Sequence, residues 1–211
     1  MKIEYVEVNW TEPEAKRLHE IPDNEQAKRA IEVALSGTHE LVFLHTINSP
    51  ASDLLKATAR IAKENRIPFK GKVIPVCNCG AYGNPQHECT CSIAELKKYM
   101  NKVIPVIKSA NMIIEVIEPF SYNIDRNEPE SNIVERILQA RRVLKNDMPS
   151  DILSNDCEYM LETAVEQIGI DAIKVISLAL TIAKMDFSKV ILVHHIAEAV
   201  QYLHNRSINQ Y

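Results

Sequence analysis

The sequence predicts an α/β core followed by an all-helical C-terminal region, with a four-cysteine element inserted in the core. Three observations carry this reading. Short apolar runs alternate with amphipathic helical patterns over residues 1–119, only helical patterns follow residue 131, and four of the five cysteines fall within CNCGAYGNPQHECTC at 77–91. The polar, proline-containing stretch 120–130 lacks periodicity and reads as a linker. The domains are therefore 1–119, including the element at 77–91, and 131–211.

The elements follow in order. After an extended opening, IEYVEV, the stretch from Asp23 to Gln26 predicts a helix start in which Gln26 reciprocates an Asp23 cap. Ala27, Ala30, Ile31 and Ala34 then keep helical spacing, and Gly37 stands where a glycine just past the helix end belongs. LVFL, 41–44, suits a strand buried on both faces. Beyond the loop HTINSP, the segment SDLLKATARIAKENR places Leu54, Leu55, Ile61 and Ala62 along one side of a helix.

KVIPV (72–76) and MIIEVI (112–117) are further strands, separated by the cysteine element and the amphipathic IAELKKYMNKVI. Pro75 and Pro105 count against the regular elements that contain them. Helical patterns then cover 131–145, 154–168, 171–185 and about 193–205. No internal repeat or low-complexity tract is present.

Composition narrows the function. Apolar residues make up 46% and charged residues 25%, values of a folded globular chain. The net charge of −4, with a pI near 6.0, gives no basic footprint for nucleic acid. The pairs Lys97–Lys98 and Arg141–Arg142 read as solvated helix faces. The opening MKIEYVEVNWTEPEAKRLHE has no apolar signal region, and no uninterrupted apolar stretch approaches about 18 residues. The expectation is a cytoplasmic protein without a membrane segment.

Cys77, Cys79, Cys89 and Cys91 form two C-x-C arms. Residues i and i+2 of an extended backbone face the same way, so each arm offers two thiolates together. Gly80, Gly83 and Pro85 supply the turns that fold one arm on the other. Four converging thiolates make a closed tetrahedral Zn(2+) site, structural because no position is left for water or substrate. The alternatives are free cysteines, two disulfides in any of three pairings, or an iron–sulfur centre. His87 reads as a surface loop histidine ahead of a substitute ligand, and Cys157 as a core residue on a helix face.

These residues resemble a known family. DNEQAKRAIEVALSGTHELVFL is similar to the start of the AAA+ core of magnesium-chelatase-like, ComM-type proteins, and VCNCGAYGNPQHECTCS resembles their four-cysteine segment. The similarity continues through Pro105 with NMIIEV, through ES-x-IV-x-R-x-x-x-AR at 130–141, and through TIAKMDFSKVILVHHIAEAVQY at 181–202. Cys157 also falls where the family has a cysteine. The resemblance implies a truncated AAA+-like core and a helical lid-like domain. Family members are ring-forming ATPases, linked to DNA remodelling in natural transformation or to magnesium insertion into a porphyrin.

The ATPase residues that the family would supply are not retained. A phosphate-binding loop needs G-x-x-x-x-G-K-[ST], whose backbone N–H groups surround the phosphates. After LVFL this chain has HTINSPAS, with His45 and Pro50 for the glycines and Ala51 for the lysine. Pro50 removes an N–H. Ser52 alone survives, and beside Asp53 it reads as a helix-start residue.

No apolar run ends in Asp-Glu, and the segment that would carry one is missing between 65 and 72. The family's sensor asparagine falls at Pro75, and the arginine before NMIIEV is Ser109. In the shortened lid region Lys174, beside Ile173, is the one candidate cation, and an exposed helix lysine is the simpler reading. Phosphoryl transfer rests on positioning and electrostatic stabilisation, so losing these groups together removes its basis.

Other candidates are weaker. His194 and His195 followed by Glu198 give H-H-x-x-E, but adjacent histidines on a helix point about 100° apart, against a metal site. Trp10 reads as a packing anchor and Tyr82 as cover for the cysteine site. The expectation is a non-hydrolysing AAA+-like protein with structural zinc and without ATP, acting by self-association or by docking on a protein partner such as an intact AAA+ relative. The alternatives are a nucleotide-binding ATPase or an ATP-dependent DNA-processing or chelatase-related subunit with weak activity, and a zinc-knuckle nucleic-acid-binding module.

Overall fold

The computed structural model describes residues 4–7, 15–84, 86–120, 124, 127–146, 153 and 155–203. Trp10 and Pro85 lie outside these residues. The strands are β1 (Glu4–Glu7), β2 (Leu41–His45), β3 (Lys70–Pro75) and β4 (Met112–Val116). The helices are α1 (Glu25–Gly37), α2 (Ala51–Glu64), α3 (Ile93–Ser109), α4 (Glu130–Asn146), α5 (Asn155–Thr163), α6 (Ala172–Met185) and α7 (Val193–Leu203).

The sheet order is β1-β3-β2-β4, with β3, β2 and β4 parallel and β1 antiparallel on the edge of β3. The fold is thus mixed α/β. Parallel strands need crossover helices, and α2 and α3 supply them, covering the sheet. Side chains alternate across the sheet: Leu41, Phe43, Val73, Met112, Ile114 and Val116 join one buried cluster, while Val42, Leu44, Ile74, Val76 and Ile113 join another. That two-faced burial is why LVFL reads as an unbroken apolar run.

The first cluster also takes in Ile31 and Leu35 of α1, Leu54 and Ile61 of α2, Ile133 and Ile137 of α4, Leu178 and Ile182 of α6, and Ile196 and Tyr202 of α7. The second lies beneath Leu96, Tyr99, Met100, Val103 and Ile107 of α3. Among the described residues no helix is long and apolar enough to cross a membrane.

Several local expectations are corrected. The α1 N-cap is Asn24, in the left-handed region at φ 58°, and it makes no side-chain cap. Its amide is engaged elsewhere, accepting from the Ile117 N–H at 3.3 Å and donating to the Ile117 carbonyl at 3.4 Å, so it pins the end of β4. Gly37 is the last residue of α1, and Thr38 takes the left-handed turn. A Cβ at position 37 would come within 2.2 Å of His39 Nε2 and 2.5 Å of Thr181 Oγ1, so close packing explains this glycine. Pro105 lies inside α3 and Pro75 is the final residue of β3.

The helix expected over 154–168 ends at Thr163 and widens into a π turn, Ala164–Ile168, closed by Gly169 at φ 72°. Arg141 does not sit on a solvated face: its guanidinium donates to the carbonyls of Leu35 and Ser36 at 2.8 and 3.1 Å, capping the C-terminal end of α1. Arg142, Lys97 and Lys98 are exposed.

Candidate metal centre

Strand β3 delivers the first cysteine arm. Past Pro75 the Val76 N–H still bonds the His45 carbonyl at 2.9 Å, which carries Cys77 into the second core, where it is fully buried. The chain then turns: Gly80, at φ 76°, donates to the Cys77 carbonyl at 3.1 Å, and Gly83, at φ 74°, makes a second reversal. Left-handed positions of this kind favour glycine, which has no Cβ to clash.

The second arm, Cys89 and Cys91, leads directly into α3. Ser92 caps that helix by accepting from the Glu95 N–H at 3.3 Å while Glu95 accepts from the Ser92 N–H at 2.8 Å. Tyr99 of α3 donates its hydroxyl to the Pro75 carbonyl. One arm therefore hangs from a strand and the other from a helix packed on that strand. Cys79, Cys89, Cys91 and Tyr82 pack around the second core.

The four sulfur atoms lie within 4.8 Å of one another, and all four cysteines are free. Cys77 Sγ is 3.4 Å from Cys79 Sγ and 3.8 Å from Cys89 Sγ, and Cys79 Sγ is 3.6 Å from Cys89 Sγ. A tetrahedron with metal–sulfur bonds of about 2.3 Å has edges of about 3.8 Å. This donor set could hold one metal ion. The spacing suits a single ion better than two or four irons with sulfides between them.

The electrostatics agree. Burial opposes ionisation of Cys79, yet backbone hydrogen bonds from Ala81 and Thr90 and the thiols of Cys77 and Cys91 bring it down to about 5. Burial first, and then the hydrogen bond with the Cys79 sulfur, pushes Cys89 up to about 12 and raises Cys91, with Cys77 adding to both. One thiolate thus forms readily while Cys89 and Cys91 resist. Mutual repulsion stands in the way of four, and a bound cation is what relieves it. No lysine or arginine lies in residues 77–91 to take that role. The Tyr82 N–H, 3.4 Å from Cys77 Sγ, adds a donor to the sulfur.

No family model and no curated protein matches this sequence.

The other sequence candidates are placed as follows. His87 stands apart from the sulfur group, with Nε2 2.9 Å from Glu118 Oε2. Asn48 donates to Glu118 Oε1 at 3.3 Å, so Asn48, His87 and Glu118 meet at the carboxyl ends of the parallel strands. Sequence spacing does not bring these three together; only the parallel order of β2, β3 and β4 does. Cys157 is buried, its Sγ 3.4 Å from the Ile191 carbonyl. Lys174 donates to the carbonyls of Lys108 and Ala110 at 2.7 and 2.6 Å, closing the end of α3. Ser109 bonds back to Val106 within that helix.

His45 ends β2, Pro50 precedes α2, and Ala51 and Ser52 open it. The loop between spends its backbone donors inside the protein. Thr46 N–H goes to the Val116 carbonyl at 3.1 Å, Ile47 N–H to Gly80 at 2.7 Å and Ser49 N–H to Thr46 at 3.3 Å.

His194 and His195 meet Asp186 in a second compact group, their Nε2 atoms 3.8 and 3.4 Å from Asp186 Oδ2. Asp186 was not visible as a partner in the H-H-x-x-E spacing, because it reaches the histidines across the α6–α7 connection. The Leu192 N–H donates to His195 Nδ1 at 2.9 Å, so that nitrogen is an acceptor and the proton sits on Nε2. A protonated Nε2 is no metal ligand. The histidine instead caps the start of α7.

Proposed function

We propose that this chain is a zinc-stapled, non-hydrolysing relative of the ComM-type AAA+ proteins, working by association with a second copy or with a subunit that retains ATPase activity. The observation that carries the reading is the fate of the β2–α2 loop. Three of its N–H groups bond carbonyls of the protein itself, and Pro50 has none to offer, so the loop presents no cradle for phosphate. Residues 41–64 form a strand–loop–helix unit, the local arrangement on which such a cradle is built, which supports the family relationship. A soft, closed set of four thiolates favours zinc, and with every position filled by protein its role is structural. Phe187, Val190, Leu192 and Val193 are exposed on and beside the α6–α7 connection, which favours an associative role.

The test has three parts. Calorimetric titration with ATP and Mg(2+) should give no saturable heat, and phosphate release should stay at the buffer rate. Light scattering on the eluting protein should report an oligomer, or a complex once an AAA+ partner is added. Micromolar ATP binding with turnover sinks the proposal.

A further inference from the structure

The thiolate group and the β2–α2 loop are physically joined. Gly80 follows Cys79 directly, and its carbonyl accepts the Ile47 N–H at 2.7 Å. The approach is close: a Cβ on Gly80 would lie 3.3 Å from Ile47 N. A second tie runs beside it. His87, two residues before Cys89, holds one oxygen of Glu118 at 2.9 Å, and Asn48 holds the other at 3.3 Å. Both Ile47 and Asn48 are exposed, and Asn48 stands at φ 59°.

We infer that metal occupancy at the four thiolates sets the conformation of the β2–α2 loop, through the Ile47–Gly80 hydrogen bond and the His87–Glu118–Asn48 chain. The inference rests on the metal reading above. With an ion bound, residues 77–91 have one shape and Gly80 presents its carbonyl to Ile47. Without it, the four thiols lose the ion they share, the turn at Gly80 relaxes, and the loop tip loses both ties.

The sheet keeps its own hydrogen bonds in either state, so the change is confined to the carboxyl edge of the strands. Coupling of this kind is reciprocal: a partner that grips the loop in its latched form raises metal affinity by the same factor that metal raises affinity for the partner.

Residue-resolved hydrogen exchange on the full chain tests this, with Zn(2+) bound and after chelation. The Ile47 amide should exchange at least about tenfold faster once the metal is removed, while α1 amides such as Val33 stay protected. Gly80→Ala provides the second arm. Loaded with Co(2+), it should keep the absorption of a tetrahedral thiolate site and still exchange Ile47 at least about tenfold faster than the loaded parent. Unchanged Ile47 exchange in both experiments, or equal acceleration at Ile47 and Val33, overturns the inference. Elemental analysis of the same samples separates the two readings: protein that takes up no zinc refutes the staple and the latch with it, whereas protein that binds zinc but shows no change at Ile47 on chelation refutes the latch alone.

Discussion

His39 and Thr181 meet in the core with Nε2 and Oγ1 2.8 Å apart, joining the turn after α1 to the middle of α6. Thr181 donates its own proton to the Ser177 carbonyl at 3.1 Å, so it accepts from His39, which must carry hydrogen on Nε2. Burial pushes the His39 imidazole down to about 4. A histidine whose folded value is depressed binds its proton more readily when unfolded, so its contribution is fully present above pH about 6.5 and falls as pH drops towards 4. The ceiling is about 3 kcal/mol. Burial also lowers His195, which acts in the same direction. Urea titrations at pH 7 and 4.5 should show a large stability loss in the parent and a smaller one in His39→Gln; equal losses would exclude His39 as the source.

Metal removal should be costly. An ion held at 1,000 times its dissociation constant contributes about 4 kcal/mol, which in a chain of this length is roughly 8–16 °C in Tm. Purified without added zinc, the protein should carry about one zinc per chain. Cys77→Ser should lose the metal and melt lower by a similar amount, whereas Cys157→Ser, remote from the group, should retain it. Metal-free parent protein with an unchanged Tm would refute the staple.

Glu130 ties three segments together. Its carboxylate accepts from the Leu18 N–H at 2.8 Å, from Arg60 at 2.6 Å and from Arg17 at 3.5 Å, with its side chain 5% exposed. Glu130→Ala leaves a buried N–H and a half-buried guanidinium without an acceptor, at a cost of about 2–4 kcal/mol. Glu135→Ala on the solvent side of α4 should cost less than about 0.5 kcal/mol. Chemical denaturation of the two variants compares them directly, and similar midpoints would contradict the ranking.

Two glycines fail for different reasons. Gly37→Ala drives a methyl group against His39 and Thr181 and should cost about 1–3 kcal/mol. Gly169 has open space around a Cβ but sits at φ 72°, so Gly169→Ala should cost about 1–2 kcal/mol by backbone strain, much of it recovered in Gly169→Asn. Thermal melts should therefore show rescue by asparagine at 169 and none at 37.

Much of the architecture was readable in the residues. The runs at 41–44 and 112–117 and the helical spacing of α1, α2, α6 and α7 all report burial directly, so they survive into the fold. Helix ends were less legible, because their residues are claimed by distant partners: Asn24 by Ile117, Gly37 by His39 and Thr181, Arg141 by the end of α1. The sulfur group was legible because both arms are local. The meeting of Asn48, His87 and Glu118 was not, since it depends on strand order.

The alternation of side chains along β2 has a further consequence. Leu41 and Phe43 fill one core and Val42 and Leu44 another, and the sulfur group borders only the second. Cooperativity need not extend through the sheet. Progressive denaturation should release α3 and the cysteine segment as one unit while α1, α4, α6 and α7 remain assembled, giving a partly folded species whose population rises with chelator and falls with added zinc.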